Sequence, residues 1–174
     1  HHQKLVVIDD TIAFVGGLDL TKSRWDTTAH ACQDPLRVDS DGRPYEPFHD
    51  VQMMVSGPAA AALGELARFR WFNATGRRLP LAIQRPVEEL WPGALVPDVE
   101  QCDVGILRTQ PAYAGQPEVR EIEQAYLEGI KRARRSIYIE SQYFTANGIS
   151  RALAARLREQ NGPEVVLVIR HNCD

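Results

Sequence analysis

Apolar and polar positions change rhythm sharply along this chain. KLVVID (4–9) and TIAFVG (11–16) are short β-branched runs separated by an Asp-Asp pair, which predicts two adjacent strands joined as a hairpin in a buried sheet. Residues 21–47 are polar, with Asp-Gly at 41–42 and prolines at 35, 44 and 47, and predict a long surface excursion. DVQMMVS (50–56) predicts a strand. GPAAAALGELARFRWFNATG predicts a helix with Pro58 near its start and Gly76 past its end. Residues 77–101 are proline-rich without a clear period and predict irregular chain. Beyond them DVGILRT (103–109) predicts a strand, EVREIEQAYLEGIKRARRS (118–136) an amphipathic helix, and IYIESQYF (137–144) a strand running into a loop. ISRALAARLREQ (149–160) predicts a helix and EVVLVIR (164–170) a final strand. Strands alternating with helices predict a layered α/β sandwich whose sheet is mixed rather than purely parallel.

Composition narrows the class. With 44% hydrophobic and 25% charged residues the 174-residue chain matches folded globular averages, not disorder. No stretch approaches the roughly 20 apolar residues of a membrane-spanning helix, and no charged segment followed by an apolar one marks a signal peptide. A net charge of −3 provides no global basic field for nucleic acid, so anion binding has to be local. Cys32, Cys102 and Cys173 are too widely spaced for a disulfide framework or a zinc signature and read as ordinary thiols.

The chemistry concentrates at the start. His2, Lys4, Asp9, Gly16 and Gly17 form H-x-K-x4-D-x6-G-G. A leading histidine pair is also what a purification tag leaves behind, but a tag has no reason to continue into this spacing. Residues two apart on a strand share a face, so His2 and Lys4 can meet one ligand together. A phosphate fits them: lysine supplies a point charge, and imidazole a nucleophile or proton carrier near neutral pH. Bare backbone at Gly16 and Gly17 lets a bulky anion approach the sheet edge. On a regular strand Asp9 points to the opposite face from His2 and Lys4, which favours a turn-stabilising role.

These residues resemble the phospholipase D superfamily, in the branch shared by eukaryotic-type and related bacterial phospholipases D. HHQKLVVIDDTIAFVGGLDL followed by RWD is similar to its first histidine-lysine-aspartate block, PFHDVQMMVSGPAA to the strand and helix start downstream, and IYIESQYF to a block ahead of its second motif. The resemblance implies a phospholipase D-like α/β/α sandwich of two lobes whose motifs face each other across a pseudo-twofold axis, with no metal and no cofactor. One histidine attacks phosphorus to form a phosphohistidine; the other protonates the leaving alcohol and then activates water. His2 then corresponds to the attacking histidine, Lys4 to its phosphate-binding partner, and Asp50 in FHDVQ to the acid that orients it, a pairing that fixes a histidine's tautomer and stabilises the imidazolium.

Around this catalytic set the expected substrate-binding residues are Gly16, Gly17, Arg24, Trp25, Glu140 and Gln142. Arg24, Trp25 and Asp26 would border an acyl or headgroup pocket, with plain packing the alternative for Trp25. Glu140 and Gln142 would alternate outward from the IYIESQYF strand. Asp19 stands where many superfamily members carry Asn; an ionised carboxylate repels phosphate, so Asp19, like Asp9, is expected to hold scaffold rather than substrate. KRARR (131–135) ends a helix, where positive charge is favourable anyway, or docks on a membrane.

No second H-x-K-x4-D follows residue 9, since His171 leads only into Asn172, Cys173 and Asp174. The resemblance therefore places residues 1–100 at the end of a first lobe and 101–174 at the start of a second, incomplete before its motif. The expected activity is hydrolysis of phospholipid to phosphatidate, or phosphatidyl transfer to an alcohol, with peripheral membrane contact, the second lobe in cis and no nucleic acid as partner. The alternatives are a nuclease or other phosphodiesterase of the same superfamily, and a non-catalytic phosphate-binding half-domain.

Overall fold

A computed structural model describes residues 3–169, and His1, His2 and the final residues 170–174 lie outside the described part. The chain divides between Ile106 and Leu107 into two compact units.

In the first unit, β1 (Lys4–Ile8), β2 (Ile12–Gly16) and β3 (Gln52–Ser56) form an antiparallel sheet in the order β1-β2-β3. The hairpin closes where the Thr11 amide donates to Ile8 O, and Asp9 and Asp10 both adopt φ of +50°. That left-handed geometry matches the twist of paired strands, and aspartate tolerates it better than most residues. Alternation then sorts the faces. Leu5, Val7, Ala13, Val15 and Val55 turn to one side and pack with Ala60 and Leu63 of helix α1 (Pro58–Thr75) and with Ile106. Lys4, Gly16 and Gln52, aligned in register, take the other. Pro58 starts α1 and Gly76 ends it at φ 69°, its amide returning to Phe72 O. The Asp10 carboxylate, buried under the turn, is gripped by Arg68 of α1 at 2.7 and 2.8 Å. This contact fixes the hairpin on the helix.

Residues 103–108 are not a strand. They form no ladder, and Ile106 packs against the Ala13–Ala60–Leu63 core instead. Their apolar character serves packing, which periodicity cannot separate from pairing. Within 77–101 a single short helix, α2 (Val87–Leu90), interrupts the irregular chain.

The second unit begins with a two-residue antiparallel pair, β4 (Thr109–Gln110) and β5 (Val119–Arg120), so the predicted helix starts later than residue 118, as α3 (Glu121–Arg132). Arg108 holds that start, its guanidinium and amide both donating to the Glu121 carboxylate. Then β6 (Ser136–Ser141), α4 (Asn147–Leu157) and β7 (Glu164–Ile169) form a strand-helix-strand unit with parallel strands. Ile130 of α3 and Leu153 of α4 are its buried apolar residues. The fold is thus mixed α/β, but the described strands form three small sheets rather than one mixed sheet. None of the described helices is long and apolar enough to cross a membrane.

Candidate active site

The site is built at the open end of the first sheet. Gly16 pairs with Lys4 on one side and Gln52 on the other, and the Gly17 amide donates to Val51 O at 3.0 Å. Both glycines are required by close approach. A Cβ on Gly16 would collide with Val51 O and, at 2.6 Å, with Gln52 Cα; one on Gly17 would run into the Asp50 carboxylate. The bare corner therefore carries a lysine on one flank and an aspartate on the other. Asp50 Oδ1 accepts from the Val51 amide at 2.7 Å while its carboxylate stays exposed.

Lys4 Nζ lies 3.2 Å from Asp19 Oδ1, and Arg24 Nη2 lies 3.9 Å from Asp19 Oδ2. Asp19 is thus a counter-ion shared by two cations that face one spot. Asp19 is half exposed, whereas Lys4 and Arg24 are partly buried. Arg24 also stacks over the Phe48 ring, 4.7 Å from its centroid. Trp25 is about half exposed, and its carbonyl accepts from the Tyr45 hydroxyl.

Three expectations need correction. Asp9 sits in the turn rather than on the strand, so strand alternation does not assign it a face; its carbonyl accepts from Thr11 Oγ1. Asp26 is not an open border residue: its side chain is buried within the excursion, paired with Arg37 at 3.0 Å. Gln142 lies just past β6, not on it, and does not line the cavity beside that strand, whereas Glu140 does. That cavity, about 520 Å³, lies within the second unit among Tyr126, Glu140, Ser141, Tyr143, Phe144 and Ile149. Tyr138 donates to Glu140, and this hydrogen bond raises the phenol above its ordinary pKa. His2 lies outside the described residues, so its distance to Lys4 and Asp50 is not part of this geometry.

The sequence reading missed two interior ion pairs, Asp10–Arg68 and Asp26–Arg37. Fully buried arginine is rare, and nothing in the polar composition of 21–47 singles out Arg37. For Asp10 there was a signal: in a two-residue turn one aspartate can face inward.

The environment of Asp26 makes a pH prediction. Burial alone would raise its carboxyl, but amide hydrogen bonds from Thr27 and Phe48 and the Arg37 guanidinium outweigh it and hold the pKa at about 2, below the ordinary 3.8. A depressed carboxyl stabilises the fold above its unfolded value and loses that contribution as pH falls through the folded one. The melting temperature of wild type minus that of D26N is therefore positive at neutral pH and shrinks between about pH 4 and pH 2. A constant difference would contradict this.

In this mixed α/β chain a lysine and an exposed aspartate thus stand on either side of a glycine corner, with a second cation beside it. The Phospholipase D family matches residues 1–161, and the chain belongs to it. Similar proteins include phospholipase D alpha 1 of Vigna unguiculata, 29% identical over 86% of this chain, and phospholipase D alpha 3 of Arabidopsis thaliana, 30% identical over 83%. Phospholipase D1 of Saccharomyces cerevisiae is 30% identical over 86% of the chain. The matched region spans 25%, 24% and 11% of these relatives' respective lengths.

Proposed function

We propose that this chain carries one half of a phospholipase D-type site that hydrolyses phospholipid, or transfers its phosphatidyl group to an alcohol, through a phosphohistidine. The observation that carries the reading is the glycine corner between Lys4 and Asp50, next to the strand position that leads to His2. In this reading a ring nitrogen of His2 attacks phosphorus, the bond from phosphorus to the headgroup oxygen breaks, and that oxygen takes a proton from a histidine of a second such motif. Water or an alcohol then gives up its proton to that histidine, attacks the phosphohistidine, and releases His2. Lys4 and Arg24 compensate the phosphoryl charge, Asp50 holds the His2 imidazolium, and Gly16 and Gly17 let β3 and the Asp50 carboxylate close in beside Lys4. Residues 1–100 belong to the end of a first phospholipase D-like lobe and 101–174 to the start of a second, within one α/β/α sandwich that meets the membrane peripherally.

The test is a substrate panel for the whole protein: phosphatidylcholine vesicles, single-stranded DNA and a simple aryl phosphodiester. Release of headgroup from lipid with DNA left intact is the expected result. Cleavage of DNA alone would replace this reading with a nuclease, and phosphate binding without turnover would replace it with a binding module.

A further inference from the structure

We infer that Asp26 and Arg37 are positioning residues for this site: their ion pair, sealed inside the 17–51 excursion, places Phe48, and through Phe48 places both Arg24 and Asp50. The inference rests on the proposed function.

Arg37 is the largest fully buried side chain described, at 1% exposure. Its Nε donates to Tyr45 O at 3.0 Å, Nη1 to Asp26 Oδ1 at 3.0 Å, and Nη2 to Ala31 O and Cys32 O at 2.8 Å each. One guanidinium thus gathers three separate stretches of a segment that has no helix or strand of its own. Asp26 completes the clasp. Its Oδ1 accepts from the Thr27 amide at 2.8 Å, and its Oδ2 from the Phe48 amide at 2.9 Å. A buried ion pair is a costly way to stabilise a loop, because desolvation consumes much of the attraction. What this one achieves is a single defined path for chain that would otherwise sample many.

The path matters because of what hangs on Phe48. Its ring carries the Arg24 guanidinium at 4.7 Å, and Asp50 follows two residues later, with its carboxylate against the missing Cβ of Gly17. The carboxylate–amide bond from Asp26 to Phe48 therefore connects a phosphate-facing cation and the histidine-orienting acid to one anchor. His30 Nδ1 also lies 2.9 Å from Asp26 Oδ2, the oxygen that accepts from the Phe48 amide, and the more than half-exposed His30 ring meets His49 edge-on at 6.3 Å, so His30 is a titratable neighbour of the same connection. A second cluster, Asp39 with the amides of Asp41 and Arg43 and with Lys22, stiffens a different turn of the same excursion.

That second cluster supplies the control. In the whole protein, D26N retains an oxygen for Arg37 and turns its carboxamide NH2, a donor, toward the Phe48 N–H, which also donates; R37K keeps the charge and loses the fork that reaches three carbonyls. Both are expected to lower kcat, per folded molecule, by roughly 10–100-fold and to raise KM for phosphatidylcholine as Arg24 moves. The acidic limb of the pH–rate profile moves to lower pH, because a histidine that loses its carboxylate titrates lower. D39A, which loosens the loop elsewhere, is expected to stay within about twofold of wild type. A merely structural clasp would reduce the folded fraction and leave KM and the pH profile of the remainder untouched, and that result would overturn the inference. Equal kinetic loss in D39A would overturn it as well. Loss in D26N with R37K normal would overturn the inference, because the clasp needs both partners. Wild type inactive on every phosphodiester would overturn the proposed function and this inference together, whereas an active wild type with unaffected D26N and R37K overturns the inference alone. Where D26N does not fold, R37K reads the same quantities.

Discussion

His2→Ala lowers turnover of the whole protein by at least about 10³-fold, whereas His1→Ala leaves most of it. The asymmetry comes from spacing. Lys4 lies in register with Gly16 on the face of β1 that turns away from α1, and the H-x-K spacing is the one at which a histidine on a continuing strand would share the lysine's face. A nucleophile at that position shares the anion with Lys4; its neighbour at position 1 does not. Removing a covalent nucleophile eliminates the intermediate itself, so the loss is far larger than for any binding residue. Initial rates on phospholipid vesicles measure it. Equal losses from the two substitutions would contradict the assignment.

Asp50→Asn lowers kcat by about 10²–10⁴-fold with little change in KM, the range found where a catalytic histidine loses its orienting carboxylate. The amide retains the shape of the side chain and the oxygen that accepts from Val51, so β3 still begins where it does. It loses the charge that fixes the tautomer of the histidine and stabilises the imidazolium. Steady-state kinetics beside a thermal melt separate the two effects: kcat falls while the melting temperature holds. Unchanged kcat would reduce Asp50 to a residue that caps the end of a strand.

Much of the framework was legible in the order of residues. The hairpin of β1 and β2 is marked by two β-branched runs around Asp-Asp, and α1 is bounded by Pro58 and Gly76 as its terminal residues require. The β6–α4–β7 unit followed from a change of period from two to 3.6 and back. DVGILRT failed because an apolar run reads the same whether it pairs or packs, and here Ile106 packs. β5 failed because a two-residue pairing is shorter than any period.

For the site, chemistry was legible where it depends on spacing and not where it depends on who meets whom across the fold. H-x-K and the glycine pair were visible, and the contact of Gly17 with Asp50 gives that pair a physical reason. Asp19 is expected from sequence to hold scaffold rather than substrate, and which groups it meets, Lys4 and Arg24, is visible only in the fold. Asp26 and Arg37 meet across eleven residues of irregular chain, where no helical or strand period applies.

The covalent route is tested most directly by offering the active protein a competing nucleophile. With 1-butanol added to phosphatidylcholine vesicles, product is expected to divide between phosphatidic acid and phosphatidylbutanol in proportion to the alcohol, while headgroup release is unchanged, because the alcohol enters only after the phosphohistidine has formed. Phosphatidic acid alone at high butanol, from a preparation that remains active, would mean that water attacks the substrate directly and would contradict the account.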